Sequence, residues 1–441
     1  MKEFKINLPH SVNEIITTLQ ENGYEAYAVG GCVRDSILGR IPGDWDITTS
    51  AMPEETKALF QKTFDTGIEH GTVTVLLDGE GYEVTTYRID GEYEDSRHPK
   101  EVTFTRCLEE DLLRRDFTIN AMAYNKKDGL VDLFGGIEDI KKKVVRCVGD
   151  ANARFSEDAL RILRGIRFAA QLGFEIEEET RNGMRLLAST LKNISAERIQ
   201  VELVKTMISP NPSLLREAYE LGITSQFLPE FDRMMETKQE NPHHKYTVGE
   251  HTLCALENVR SDKVLRLTML FHDVGKPLTK TIDENGIAHF YNHTMEGELL
   301  TKKILRRLKF DNDTLNKVSK LVFYHDYRMP PTDKNVRRAV NKIGEDLFPY
   351  YLEVCRADIL AQSDYEKEEK LQNLNKIEEI YQGIIDKGEC VSLKMLAVSG
   401  KDLIEAGMKP GKELGDKLVE FLDLVLDNPE LNTRKELLSR L

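Results

Sequence analysis

The segment from Tyr24 to Thr49 constrains the fold more than any other part of this 441-residue chain. Tyr24 to Val29 is a short apolar run suited to a buried strand, and Ile47-Thr48-Thr49 supplies β-branched residues for a second one. Between them stand Gly30-Gly31-Cys32-Val33-Arg34-Asp35 and Asp44-Trp45-Asp46. Two glycines, carrying no Cβ, let a turn approach a phosphate closely. Aspartates at i and i+2 on an extended segment point their carboxylates to one face. Paired hard oxygen ligands suit Mg²⁺, which fills the rest of its shell with water and substrate phosphates. Glycines for a triphosphate and aspartates for its metal, in one strand–turn–strand unit, imply nucleotidyl transfer.

A chain of this length holds two or more domains with ample core. No apolar stretch approaches the roughly 20 residues that span a bilayer, and Met1-Lys2-Glu3-Phe4-Lys5 lacks the apolar region of a signal peptide. The six cysteines, at 32, 107, 147, 254, 355 and 390, form no C-x-x-C pair and read as reduced thiols of a cytoplasmic protein. A net charge of −14 excludes a generally basic coat. It leaves room for RNA on a local positive surface. Lys141 to Lys143, Lys302-Lys303 with Arg306, Arg307 and Lys309, and Arg337-Arg338 are each either a phosphate track or a solvated face.

The first 150 or so residues mix β-rich runs (Thr72 to Leu77, Tyr82 to Arg88, Val102 to Thr105) with helical segments at 11–22 and 53–63. Beyond them the pattern is helical almost throughout, so an α+β chain is expected. Polar breaks fall at Glu236 to Lys245 and near Asp386-Lys387-Gly388. They divide the chain into expected domains 1–150, 151–235, 236–386 and 387–441.

Three further motifs carry chemistry. Glu83, alternating with Thr85 and Tyr87 on a predicted strand, either completes the aspartate site or is an exposed strand carboxylate. Arg114-Arg115-Asp116-Phe117-Thr118-Ile119-Asn120 offers guanidinium groups that can grip phosphates in bidentate fashion. On a helix its Asp116 and Asn120 would share a face. Asp158, Arg161, Arg164 and Arg167 would form an i, i+3 helical ridge, either as surface ion pairs or as a reader of bases. Cytosine and adenine present an exocyclic amino donor beside a ring-nitrogen acceptor, and uracil and guanine present the reverse. One carboxylate beside one guanidinium therefore matches C and A. Each mismatch leaves buried polar groups unpaired at about 1–3 kcal/mol apiece.

With these motifs in this order, the chain resembles the class II CCA-adding tRNA nucleotidyltransferases of the DNA polymerase beta-like superfamily. The resemblance rests on Gly30-Gly31-x-Val33-Arg34-Asp35, Asp44-x-Asp46, Arg114 to Ala123 and Glu157-Asp158-x-x-Arg161. It implies a nucleotidyltransferase head with a mixed sheet and helices, followed by an all-α neck, body and tail. It implies that Gly31, Arg34 and Arg115 contact the nucleotide, and that Asp44 and Asp46 hold Mg²⁺ with Glu83 as a third acid. Asp158 and Arg161 would read the base, with Arg164 and Arg167 in support. The activity implied is template-independent addition and repair of the 3′-terminal CCA of tRNA from CTP and ATP, with release of pyrophosphate. Relatives that add only A or poly(A) remain the alternative. Gly91 to Pro99 resembles the family's flexible loop for A addition, which argues against a CC-only enzyme. The segments Leu396 to Leu403 and Lys409 to Lys412 resemble the family's tail, offering backbone N–H groups to tRNA or simply packing helix on helix.

Seven of the ten histidines lie between 243 and 325. His251, His272-Asp273 with Lys276 following, His293 and His325, with Asp358 as a last ligand, resemble an HD-type metal-dependent phosphohydrolase. Such a set suits a divalent transition metal. It raises an activity of another class, phosphohydrolysis such as that of a 2′,3′-cyclic phosphodiesterase, against the alternative of a helical domain with no bound metal.

Overall fold

The computed structural model describes residues 5–90, 102–243 and 245–441. The loop expected at Gly91 to Pro99 lies outside the described residues. The fold is α+β, and the chain divides into two compact units, Met1–Phe227 and Leu228–Leu441.

The first unit opens with α1 (His10–Glu21), whose Val12, Ile15, Ile16 and Leu19 form one buried stripe at helical spacing. Next come β1 (Ala26–Val29), α2 (Gly31–Ile37), β2 (Ile47–Thr49), α3 (Pro53–Leu59), β3 (Thr63–Gly67), β4 (Thr72–Leu77), β5 (Glu80–Thr86), β6 (Arg88–Asp90), β7 (Val102–Phe104) and α4 (Leu108–Leu113). Then β8 (Met122–Asn125), β9 (Gly129–Asp132), α5 (Gly136–Lys142), β10 (Val144–Val145), α6 (Ala151–Glu157), α7 (Leu160–Leu172), β11 (Glu175–Ile176), α8 (Glu178–Leu187), α9 (Ala196–Met207) and α10 (Leu215–Glu220) complete it. Seven strands make one sheet in the order β3-β4-β5-β2-β1-β8-β9. Strands β1 and β2 sit inside this sheet and are buried along their whole length, as their unbroken apolar and β-branched runs require.

The pairing of β2 with β5 is parallel, with Ile47 opposite Val84, whereas β1 runs antiparallel to β2. A parallel pair needs a crossover, and α3, β3 and β4 provide it. The expected helix at 53–63 is shorter, because Phe60 is already extended (φ −121°, ψ 139°) and the chain turns into the edge strand β3.

The second unit contains α11 (Pro229–Glu236), α12 (Val248–Glu257), α13 (Lys263–Phe271), α14 (Lys276–Thr279), a hairpin of β12 (Thr281–Ile282) and β13 (Ala288–His289), α15 (His293–Arg307), α16 (Asn312–Tyr324), α17 (Asp333–Ile343), α18 (Phe348–Ala361) and α19 (Lys367–Asp386). The helices α20 (Gly400–Glu405), α21 (Lys412–Asp427) and α22 (Arg434–Leu438) follow. Leu321, Val336, Val340, Phe348 and Tyr351 anchor its main core. A separate core of Leu403, Phe421, Val425 and Leu437 holds the last three helices. Arg337 and Arg338 are no phosphate track: Arg337 is buried against Glu389, and Arg338 pairs with Asp427 and Asp423. Among the described residues no helix is long and apolar enough to cross a membrane, and all six cysteines are free.

Candidate functional site

The parallel register sets the first site. With Ile47 opposite Val84, the preceding residues Asp46 and Glu83 stand level on one face of the sheet. Asp44 precedes Asp46 by two residues, and Asp44, Asp46 and Glu83 all face solvent. The Asp46 pKa is raised above the ordinary carboxylate value, first by the protein crowded around it, then by the charges of Asp44 and Glu83 against the pull of Arg115. Carboxylates that repel one another at an open rim are relieved by a divalent cation. This observation makes the residues present a fit for Mg²⁺.

The backbone turn beside these acids is built around Gly30. Its φ of +83° is open to glycine, and a Cβ there would stand 3.2 Å from Nη1 of Arg115. Gly31, which the sequence pattern singles out, begins α2 and meets nothing closer than Arg34 Nη2 at 3.7 Å. Arg34 is buried, donating to both Asp35 carboxylate oxygens at 2.9 and 3.0 Å and to Asn120 Oδ1 at 2.6 Å. Asp111, fully buried on α4, accepts from Thr48 Oγ1, Arg114 and Arg115 and so locks the arginines to the sheet. The sequence did carry a signal for Asp111: a carboxylate at i−3 and i−4 from a pair of arginines.

Asp116 and Asn120 do not lie on one α-helix. A single 3₁₀ turn at Thr118–Asn120 brings them together instead, with Asn120 Nδ2 3.2 Å from Asp116 Oδ1. Arg164 Nε donates to Asp116 Oδ2 at 2.7 Å. Burial alone would raise the Asp116 pKa, but Arg164 and the bond from Asn120 overcome it and hold the group at about 2.

The expected four-residue ridge is also broken. Asp158 terminates α6 in an extended conformation (φ −136°, ψ 104°), so it stands outside α7, which carries Arg161, Arg164 and Arg167. Its side-chain Oδ1 accepts from the Leu160 N–H, which competes with helical bonding and starts the next helix. Asp158 pairs with Arg198 of α9 at 2.8 Å, and Arg161 pairs with Glu157 at 2.5 Å, rather than with each other. Arg167 pairs with Glu202 at 2.7 Å and lies over the Phe168 ring, which Arg34 and Arg164 also approach. The pattern alone did not reveal Arg198 or Glu202, whose ion pairs join separate helices, or Phe168, which brings Arg34 of α2 beside Arg164 and Arg167 of its own helix.

The second unit gathers the histidines. His251 on α12, His272 and His325 at the ends of α13 and α16, His293 at the start of α15 and Asp358 on α18 converge on Asp273. His251, His272, Asp273 and His325 are buried. Every ring presents Nδ1 to a backbone carbonyl: His251 to Ala361 (3.3 Å), His272 to Met269 (2.7 Å), His293 to Phe290 (2.8 Å) and His325 to Val322 (2.7 Å). A carbonyl only accepts, so Nδ1 carries the proton and each Nε2 lone pair faces inward. Two such pairs approach closely, His251 with His272 at 3.2 Å and His293 with His325 at 3.4 Å.

Lone pairs held this near each other repel, yet ligands at about 2.0–2.1 Å from one tetrahedral or octahedral metal ion sit roughly 3.0–3.5 Å apart. Asp273 belongs to both groups, with donor atoms in each within 4.8 Å of one another. Asp358 Oδ1 lies 2.8 Å from His251 Nε2. The Asp273 pKa, which burial would raise, is held well below the ordinary value by His272 and Lys276. His293 is pushed down to about 4 by burial and by the neighbouring His325, which keeps the ring neutral. Lys276 Nζ, 2.7 Å from Asp273 Oδ2, is also bound to Gln239, while Gln362 orients Asp358 at 2.9 Å and takes a bond from Lys370. The residues present therefore fit one or two divalent transition-metal ions.

Comparison with known proteins decides the family. Residues 26–146 match the Poly A polymerase head domain, and residues 281–441 match domain 2 of tRNA nucleotidyltransferases. The CCA-adding enzyme of Lactobacillus helveticus is 37% identical over 420 residues, covering 94% of this chain and 92% of its own length. The chain belongs to the CCA-adding enzymes. A second family member, from Levilactobacillus brevis, is 37% identical over 417 residues, 94% of this chain and 91% of that one. The family fold is also seen in the crystal structure of the Bacillus stearothermophilus CCA-adding enzyme in complex with CTP. It superposes with a TM-score of 0.69 at 29% identity, covering 97% of this chain and 96% of that one.

Proposed function

We propose that this chain adds and repairs the 3′-terminal CCA of tRNA without a template, using CTP and ATP and releasing pyrophosphate. The observation that carries the reading is the alignment of Asp46 with Glu83 across the parallel β2–β5 pair, beside Asp44 and Arg115. Mg²⁺ held by Asp44 and Asp46 would supply positive charge to the triphosphate and favour ionisation of the RNA 3′-hydroxyl. The 3′-oxygen bonds to the α-phosphorus, the bond to the bridging oxygen breaks, and pyrophosphate leaves. Arg115, tied to Asp111 and set against Gly30, meets the negative charge of the phosphates.

Asp158 supplies the acceptor and Arg161 the donor for the edge of C or A. Asp158 uses lone pairs beyond those given to Arg198 and Leu160, and Arg161 turns part of its fork from Glu157. Arg164, Arg167 and Arg34 hold this reader from behind through Asp116, Glu202 and Asn120. The test is Asp44→Ala with Asp46→Ala, assayed for CTP and ATP incorporation into tRNA. Loss of incorporation is expected, and retained incorporation would overturn the reading.

The histidine cluster favours a second reading alongside the first. His251, His272, Asp273 and Asp358 would hold a divalent transition metal, with a second position at Asp273, His293 and His325, and the centre would hydrolyse phosphate esters. Bound metal there would supply charge for a phosphoryl group and lower the pKa of water. Metal content of the purified chain, and its loss in His272→Ala, tests the centre directly. A wild-type chain that takes up no transition metal would rule it out.

A further inference from the structure

The first site holds a cation that its own acids do not capture. The charge of Arg115 reaches Asp46. Among the described residues, however, Arg115 forms its ion pair with Asp111 (Nη2 to Oδ2, 3.2 Å) rather than with Asp44, Asp46 or Glu83. Its Nη1 lies toward Gly30, where a Cβ would stand 3.2 Å away, and its buried Nε has no acceptor among the described residues. The single bond to Asp111 therefore sets which way this guanidinium faces.

Asp111 is tied on both of its oxygens. Oδ1 accepts from Nε and Nη2 of Arg114 at 2.9 and 2.8 Å. Oδ2 accepts from Thr48 Oγ1 at 3.1 Å as well as from Arg115. The group is fully buried, and burial favours its neutral form, yet the two arginines hold the carboxyl below its ordinary range. Thr48 follows Asp46 by two residues and shares its face of β2. One carboxylate oxygen thus joins the strand next to the acids with the arginine that stands closest to them in charge.

A guanidinium and a divalent ion compete for the same carboxylates, since either relieves the repulsion among Asp44, Asp46 and Glu83. A guanidinium stripped of its partner inside a protein is costly, so without Asp111 it turns to the nearest acids. We propose that Asp111 is a positioning residue for nucleotidyl transfer, holding Arg115 off the three acids so that they stay open to Mg²⁺ and the arginine stays open to the triphosphate. The inference rests on the nucleotidyl-transfer reading of this site and adds what keeps its metal position clear.

The test compares the full wild-type chain with Asp111→Asn, with Arg115→Gln and with the variant carrying both. Mn²⁺ binding without nucleotide is followed by electron paramagnetic resonance, as the difference from Asp44→Ala with Asp46→Ala, so that ions held elsewhere cancel. Asp111→Asn is expected to weaken this binding about tenfold or more, as one misdirected positive charge implies. Adding Arg115→Gln restores it, which a merely structural role for Asp111 would not allow. In CTP and ATP incorporation, Asp111→Asn raises the half-saturating Mg²⁺ and both KM values together, while kcat at saturation changes by less than about threefold. Thr48→Val raises the half-saturating Mg²⁺ in the same direction, Thr48→Ser does not, and this pair decides alone if Asp111→Asn does not fold. Metal binding indifferent to Asp111→Asn, a loss that Arg115→Gln leaves in place, or a Thr48→Val chain with the wild-type Mg²⁺ requirement overturns the inference. A wild-type chain that incorporates no CTP, yet binds Mn²⁺ in the Asp111-dependent way described, would remove the nucleotidyl-transfer reading and leave the guarding of the acids standing.

Discussion

The two candidate sites answer the same problem, concentrated negative charge, in opposite ways. In the first unit, Asp44, Asp46 and Glu83 face solvent beside the interior strands β2 and β5, and the pKa of Asp46 is raised first by the protein around it and then by the charges of Asp44 and Glu83. In the second, buried Asp273 is ringed by imidazoles whose orientation is already fixed by Nδ1–H bonds to backbone carbonyls. The first arrangement suits a cation that arrives with a phosphate-bearing substrate and departs with the product. The second suits a resident ion, since each ligand was oriented when the helices folded. Ligand type separates them too, hard oxygen against imidazole and carboxylate.

Breaking the first site alone gives the largest effect expected. Asp46→Asn should cut CTP incorporation by about a thousandfold or more, a loss of several kcal/mol of charge stabilisation. Transition-metal content measured by elemental analysis should stay at the wild-type level in the same variant. If metal content fell with activity, the two sites would not be separate. His272→Ala inverts the comparison, with transition-metal content falling below the wild-type level while CTP incorporation persists.

Base selection sharpens the account of the first unit. Asp158→Ala should relax the preference for C and A over U and G by about tenfold to a hundredfold, as expected when an unpaired polar group no longer penalises the wrong edge. Competition assays with mixed nucleoside triphosphates measure this directly, and unchanged selectivity would remove Asp158 from the reader.

The smallest effect concerns stability. The Asp116 carboxyl is held at about 2 in the folded chain, below its ordinary value of 3.8. A depressed carboxyl stabilises the fold above the unfolded pKa, and that contribution disappears as pH falls through the folded one. Its contribution of about 2 kcal/mol should therefore be complete above roughly pH 5 and lost between about pH 4 and 2. Urea unfolding of Asp116→Asn against wild type should show this difference at pH 7, about half of it near pH 3 and little of it at pH 2.

Local pattern made much of this legible. Strand β4 falls on Thr72–Leu77 as its alternating apolar run implies, and β1 and β2 flank the glycine turn and the acidic pair as their residues demand. Histidine and aspartate identity sufficed to nominate a cluster whose donors meet within a few ångströms. Contacts that join distant elements were not legible. A ridge reading of Asp158 assumed one continuous helix, but its side chain bonds the Leu160 N–H and divides that helix. Its partner Arg198 lies forty residues onward, and no spacing rule links them. Gly30 rather than Gly31 is the position that requires glycine, because its φ is +83° and Arg115 packs against it, the second a fact of tertiary contact.

The most direct test of the central claim offers tRNAs ending at the discriminator base, at C and at CC to the chain with each nucleoside triphosphate in turn. Extension of the first two by C and of the third by A, all lost in the Asp44 and Asp46 double variant, is the result predicted. No extension of any of the three, or extension that survives removal of both carboxylates, would contradict it.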